Sequence, residues 1–540
     1  MCSGVQLIKD RKCKLGPLCT LLAATFVALP IMAQSPAPLT LADAIRSTLL
    51  RHPQLRIQEQ QVIAQQGVLQ QAKGQFDTNL AGDASQGHTY RPLTAYEEFL
   101  YAQYDLVPIT SASTNNSQIA LGATKELRNG IVLTPSITAA RLTDNLTNRG
   151  GISQGAIRFA VTLPLLRGRG RAVVTAQEAS SALQLKAAMF EVNETITGLL
   201  GTVASSYWNV VAATKQLEVL RGSESRAGTL TESIQSLIDA DRLPRADINN
   251  VKADMAAREA NRLAGEQQLV EARQQLAIDM GLDASEISEL PEAATEFPAE
   301  LPPDQIPSGP DVLERYIRLA LDQRPELAAQ KQRQQAAQII VGASRNALKP
   351  DLNVTLGTGV SGLDEGSRID EYFFSPLHSA RGADLTGSIS YRFPPARNAA
   401  AGGLKQATAA ATQADLQYQE IARRTAAAVG PALSGISSEA LQLRRMHESV
   451  RFYRNSLDAE REKLRMGAGN VINTITVEDR LTGALQGEIQ AELQYAQALV
   501  RLRQATSTIV SPDQKGGSVD PAVFSVPPPL PLAGQTGTPK

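Results

Sequence analysis

Apolar residues recur along this chain at two periods, one helical and one alternating. From Arg171 to Ile238 there is no proline for 68 residues, and the middle keeps a seven-residue step. Val192, Leu199, Ser206, Ala213 and Leu220 fall on one line, and Ile196, Val203, Val210 and Leu217 on the other. Small and β-branched residues at such positions imply long helices packed at shallow angles with close backbone approach. An unbroken helix of this length spans roughly 100 Å. After a break at Asp241–Pro244 the helical pattern resumes from Asp247 to Met280, where Ile248, Met255, Leu269 and Leu276 keep the grid and Arg262 interrupts it.

Elsewhere the period shortens to two. Leu352, Val354 and Leu356 alternate with Asn353, Thr355 and Gly357, and Leu385, Ile389, Tyr391 and Phe393 with Thr386, Ser388, Ser390 and Arg392. Ile157, Phe159, Val161 and Leu163 do the same with Arg158, Ala160 and Thr162. Strands of ~10 residues, apolar on one face only, suit a membrane barrel with a wet lumen, and equally a soluble two-layer sheet. A further hairpin is predicted where Ile119–Leu127 and Ile131–Ala139 flank Asn129-Gly130, a strong tight-turn signal. Pro135 favours an edge or extramembrane position for its second strand. The pattern leaves open whether this hairpin joins the other strands.

The chain is internally duplicated. At a constant offset of 272, residues 44–80 align with 316–352 without a gap and share ten identities in 37 positions, among them Ile45/Ile317, Pro53/Pro325, Leu55/Leu327 and Leu80/Leu352. Each copy opens as helix–proline–helix, passes through strands that end at Pro164 or Pro394-Pro395, and returns to long helices. The second pair runs from about Ala399 to Met466, turns at Gly467–Asn470, and resumes to about Ser507. The resulting domain plan is a signal segment at 1–33, a first repeat at 34–290, a Pro-rich linker at 291–310, a second repeat at 311–510 and a loose tail at 511–540.

Composition narrows the function. Lys9, Arg11, Lys12 and Lys14 precede the apolar run Leu18–Ile31, and Ala33 offers a small residue at a cleavage point, as in a secretory signal. Cys2, Cys13 and Cys19 all lie in this segment, so a mature chain holds neither disulfide nor Cys-based metal site. Removing it takes four basic residues and Asp10 from totals of 53 and 54, leaving a balance of −4 and no electrostatic case for nucleic acid. No later segment is apolar enough for a transmembrane helix, so membrane crossing after export requires a β-barrel. His52, His88, His378 and His447 show no metal-binding spacing, and no catalytic set, metal site or cofactor site is expected. The helix carboxylates and bases read as ordinary solvated faces. Aromatics cluster at Tyr90, Tyr96, Phe99, Tyr101 and Tyr104 and at Tyr372, Phe373 and Phe374, as a membrane-interface belt or as packing within a loop.

The chain resembles the TolC-like outer-membrane channel family over most of residues 39–510. Three features carry the resemblance: the opening from Leu41-Ala42-Asp43 through His52-Pro53, repeated from Ile317 through Arg324-Pro325; the passage Thr162-Leu163-Pro164-Leu165-Leu166-Arg167-Gly168; and the turns at Gly467–Ile475 and Asp241–Ile248. It implies an internally duplicated, mainly α homotrimer. Its outer-membrane β-barrel would have twelve strands, four from each chain, continued by a long periplasmic α-helical barrel. If the extra hairpin inserts, the count becomes eighteen. The implied function is a passive exit duct of a tripartite efflux or type I secretion system, reached by a periplasmic adaptor and an inner-membrane pump. The tip and aperture would be built from Asp241, Arg242, Leu243, Pro244, Asp247, Asn250, Gly467, Gly469, Asn473 and Thr476. Where the family can carry two acidic residues one turn apart, this chain has Asn473 and Thr476, with Asp247 and Asn250 in the first repeat. Two other readings compete. A pore-less periplasmic adaptor would need one hairpin and one β domain, and an exported enzyme would need a polar constellation.

Overall fold

The computed structural model describes residues 38–103, 109–147, 150–240, 245, 247–287, 290–294, 296–366, 380–466, 468–510 and 519–530. The expected signal segment, the turn Asp241–Pro244, and Tyr104, Tyr372, Phe373 and Phe374 lie outside them. The first half runs α1 (Leu41–Arg51), α2 (Pro53–Gly74), β1 (Thr78–Pro92), α3 (Ala95–Ala102), β2 (Ser111–Glu126), β3 (Val132–Asp144) and β4 (Ile152–Pro164). It continues through α4 (Arg171–Val174), α5 (Ala176–Asp239), α6 (Asp247–Met280) and α7 (Ala284–Ile287). The second half runs α8 (Pro310–Gln323), α9 (Pro325–Asn346), β5 (Asp351–Glu365), β6 (Ala380–Arg392), α10 (Asn398–Arg465) and α11 (Val471–Ala505).

The repeat is visible in these lengths. Pro53 and Pro325 open helices of 22 residues each, at a position where the missing N–H is not needed. The long hairpins have arms of 64 and 34 residues in the first half and 68 and 35 in the second. One boundary differs from expectation. The first long helix starts at Ala176, not Arg171, because Gly168 (φ +75°) and Gly170 (φ +98°) turn the chain out of β4 and Thr175 interrupts the helix after α4.

Among the described residues the strands form one antiparallel sheet of six in the order β1-β2-β3-β4-β5-β6. The Asn129-Gly130 hairpin therefore joins it, and the chain supplies six strands where four were expected. Pro135 is neither on an edge nor outside the sheet: it lies opposite Phe159 of β4. It is tolerated because pairing with β2 lapses between Ser136↔Gly122 and Leu133↔Lys125, so no donor is required there.

The register collects the apolar side chains on one face. Leu121 pairs with Gly82 and Ile137, Ile137 with Ile157, Ile157 with Val360, and Val161 with Leu356. Neighbouring rows bring Val354 beside Ile389 and Leu352 beside Tyr391. These side chains stay largely open: Leu80 is 78 % exposed, Leu385 82 % and Ile389 75 %. The other face carries Asn116, Gln118, Ser136, Thr138, Thr355, Ser388 and Ser390. This division of faces suits a barrel wall with lipid on one side and water on the other.

The main core lies midway down the long helices. Between Leu200 and Ala213, α5 is buried nearly all round, with Tyr207 and Trp208 fully covered by α1, α6, α11 and Phe297. A second cluster joins α8, α10 and α11 around Tyr316 and Tyr495. The tail departs from expectation over residues 519–530. Phe524 is fully buried in the first cluster, Tyr316 Oη donates to the Pro528 carbonyl at 2.8 Å, and Arg503 donates to the Val526 and Pro527 carbonyls. The Pro-rich linker is also tied down: Leu301 N–H donates to Tyr495 Oη, and Glu300 pairs with Arg444.

Candidate aperture at the helix tips

Each hairpin turns at the end far from the sheet. In the second repeat Asn470 caps α11, its side chain accepting the Ile472 N–H at 2.8 Å and its carbonyl the Thr474 N–H at 3.1 Å. The turn is tight at Gly469, where a Cβ would come within 2.6 Å of the Leu464 nitrogen. Asn473 and Thr476 are exposed on one face of the first turns of α11, and the Thr476 hydroxyl donates to the Ile472 carbonyl at 2.8 Å. In the first repeat Asp247 is half-buried at the start of α6, and Asn250 is exposed one turn later. Asp241, Arg242, Leu243, Pro244 and Gly467 lie outside the described residues.

The fold brings the two tips together. Ile234 and Ile238 of α5, Val251 of α6, Leu464 of α10 and Val471 of α11 form one buried cluster, flanked by Ile248 and Ile475. The helix ends that carry Asp247, Asn250, Asn473 and Thr476 thus pack around one cluster built from both repeats.

Just above this cluster sits a polar network absent from the expected site. The Glu478 side chain, 4 % exposed, accepts from Arg226 Nε at 2.5 Å and from Arg461 Nη2 at 3.3 Å. Arg258, 5 % exposed, donates to Asp254 at 2.8 Å, to Asp479 at 2.8 Å and to Ser223 Oγ at 2.5 Å. Ser223 also shares a hydrogen bond of 3.1 Å with Thr482. Burial works against the Arg258 charge, but the hydrogen bond it donates to Asp254 and the nearby carboxylates outweigh it and raise its pKa. All four long helices contribute. A cleft of about 450 Å³ opens beside the network between α5 and α10, lined by Arg226, Ser233, Arg461 and Arg465 among others.

The sequence held one clue to these residues. Val251, Arg258, Gly265 and Ala272 form a second seven-residue line on α6, three positions from the apolar grid, and its first three members are buried. Gly265 lets the helices approach, since a Cβ there would meet Leu220 Cδ1 at 2.7 Å. An arginine on such a line needs partners across the seam. Among the described residues, no group of His, Cys, Asp or Glu is placed to hold a metal ion.

Comparison with known proteins agrees with this architecture. Residues 316–508 match the family described as outer membrane efflux protein. The fold superposes on the CmeC outer membrane channel of Campylobacter jejuni with a TM-score of 0.64 at 12% identity, covering 93% of this chain and 96% of that one. It superposes on the outer-membrane channel OprN with 0.63 at 15%, covering 86% and 89%, and on the outer membrane protein VceC of Vibrio cholerae with 0.61 at 15%, covering 86% and 95%. At these identities the structures speak to fold. No curated protein sequence matches the chain.

Proposed function

We propose that this chain, whose residues 316–508 match the outer membrane efflux protein family, assembles as three copies into a passive exit duct of a tripartite efflux or type I secretion system. The observation that carries the reading is the continuity of two structures in one chain. A sheet with one lipid-type face runs into two helical hairpins whose longer arms, of 64 and 68 residues, each span roughly 100 Å. A pore-less adaptor has no use for two repeats that each deliver strands to one sheet. A conduit needs no catalytic residue, because an inner-membrane pump coupled through a periplasmic adaptor supplies the work.

The tips form the periplasmic end in this reading. Asn473 and Thr476, with Asp247 and Asn250 of the first repeat, line the aperture by hydrogen bonding in place of an acidic ring. Asp241, Arg242, Leu243, Pro244, Gly467 and Gly469 form the lip against which the adaptor docks. Planar-bilayer recording of the purified protein tests both statements. Discrete conductance steps are expected, altered when Asn473 and Thr476 are both made leucine. Wild-type conductance in that double variant would remove these residues from the aperture, and no conductance from correctly assembled protein would remove the duct.

A further inference from the structure

We propose that β2 and β3 make the membrane barrel of the assembled channel eighteen-stranded, wider than the twelve-helix tunnel beneath it, each seam joining β1 of one copy to β6 of the next. The inference rests on the trimeric duct proposed above and concerns the width of its outer end.

The sheet itself calls for closure. Every residue of β1 is exposed, as is every described side chain of β6, so both edges carry unpaired backbone. Within hydrocarbon such edges are not tolerated, and six strands are too few to close alone. The apolar face continues to both edges, through Leu80 on β1 and Leu385, Ile389 and Tyr391 on β6. Six alternating antiparallel strands also leave β1 and β6 running in opposite directions, so a β1–β6 seam preserves the alternation around the ring. The occupant of each edge is therefore the opposite edge of a second copy.

The hairpin cannot be set aside from this ring. It lies between β1 and β4, and β1 spends its whole length, Thr78↔Lys125 to Pro92↔Ser111, on β2. Its turn is seated on the junction between strands and helices. Gly170 N–H donates to the Asn129 carbonyl at 3.2 Å, and Arg128 grips Glu178 at the start of α5 with two bonds of 3.0 and 3.1 Å. The Arg128 guanidinium also stacks on Phe76, 4.8 Å from the ring centre, and Lys125 holds the Phe76 carbonyl.

The strand and helix counts then differ. β1 follows α2, β4 leads into α4 and α5, β5 follows α9 and β6 leads into α10, whereas neither β2 nor β3 connects to a helix of the tunnel: β2 follows β1 through the short α3, and β3 leads into β4. Three copies place eighteen strands above twelve helical connections. Barrel diameter grows roughly in proportion to strand number, so at equal tilt the mouth is about 1.5 times as wide as a twelve-stranded one. Its wall is lined by Ser, Thr, Asn and Gln, and discrimination by size falls to the tunnel and its tips.

Two measurements test this. Electron cryomicroscopy of the full chain in lipid nanodiscs should show three copies and eighteen strands. Three copies with twelve strands and the hairpin outside would overturn the inference and leave the duct intact, while any other copy number would overturn the trimeric duct itself. Separately, Leu121→Asp and Ile137→Asp place charge on the lipid face of the hairpin, and Gln118→Asp and Ser136→Asp place it on the opposite face. The first pair should reduce the yield of heat-modifiable folded barrel at least tenfold and the second pair less than twofold. Equal tolerance of both pairs would take the hairpin out of the membrane.

Discussion

Glu478 of the second repeat lies 2.5 Å from Arg226 Nε of the first, with its side chain only 4 % exposed. This contact ties α5 to α11 where the hairpins approach their tips. Glu478→Ala leaves Arg226 and Arg461 facing each other without their shared carboxylate. Both arginines keep some solvent, so the loss falls below the ~3–5 kcal/mol of a fully buried pair, and about 2 kcal/mol is expected. Tip loosening should appear as larger single-channel conductance and faster tryptic cleavage at the turns, with the membrane sheet unchanged.

The hairpin turn depends on glycine. Gly130 has φ +93°, and a Cβ there would collide with the Gly168 carbonyl and press on Pro164 and Val174. Gly130→Val is expected to cost at least ~1–3 kcal/mol from backbone strain alone. The measurement is the fraction of heat-modifiable folded protein, which should fall while helix content by circular dichroism is kept.

Sheet polarity is testable on neighbouring residues of β6. Ile389 faces the apolar side and Ser388 the polar side. Ile389→Arg should destabilise folding into lipid vesicles by about 2–4 kcal/mol, whereas Ser388→Arg should change it by less than ~1 kcal/mol. Urea titration in vesicles distinguishes the two.

The tail contributes one buried anchor. Phe524 is fully covered, and Phe524→Ala in such a site costs about 3–5 kcal/mol. Trp208, the single tryptophan, belongs to the same cluster and reports the change. A red shift of its fluorescence and a lower melting temperature are expected.

At the end of the sheet far from the tips, α3 carries a pH-dependent contact. Hydrogen bonds from Arg91 above all, and from Thr94, hold the Glu97 carboxyl down to about 2. Its folded pKa is below the unfolded value, so the stabilisation is present above pH ~4.5 and is lost as pH falls through about 2. An NMR titration of the Glu97 carboxyl should show a midpoint near 2, moving toward 4.5 in Arg91→Ala.

The duplicated plan was legible because both copies repeat the same helix–proline–helix lengths and the same change of period. The hairpin itself was legible at Asn129-Gly130, but its place in the sheet was not, because alternation looks alike in a barrel strand and an edge strand, and Pro135 argued for the edge. Only the lapse in pairing with β2 explains its place. The polar network was hidden for a related reason: Arg226, Arg258 and Glu478 look like solvated helix charges until α5, α6, α10 and α11 are brought together. Phe524 was masked by a Pro- and Gly-rich neighbourhood that reads as loose chain.

The proposed duct lies in the outer membrane and works as a trimer with periplasmic partners. Cross-linking in intact cells, followed by isolation of outer membranes, tests it most directly. The account predicts a trimer in the outer-membrane fraction, with an adaptor captured at the tips near Gly469 and Asn473. Recovery of the chain only as a soluble periplasmic monomer would contradict it.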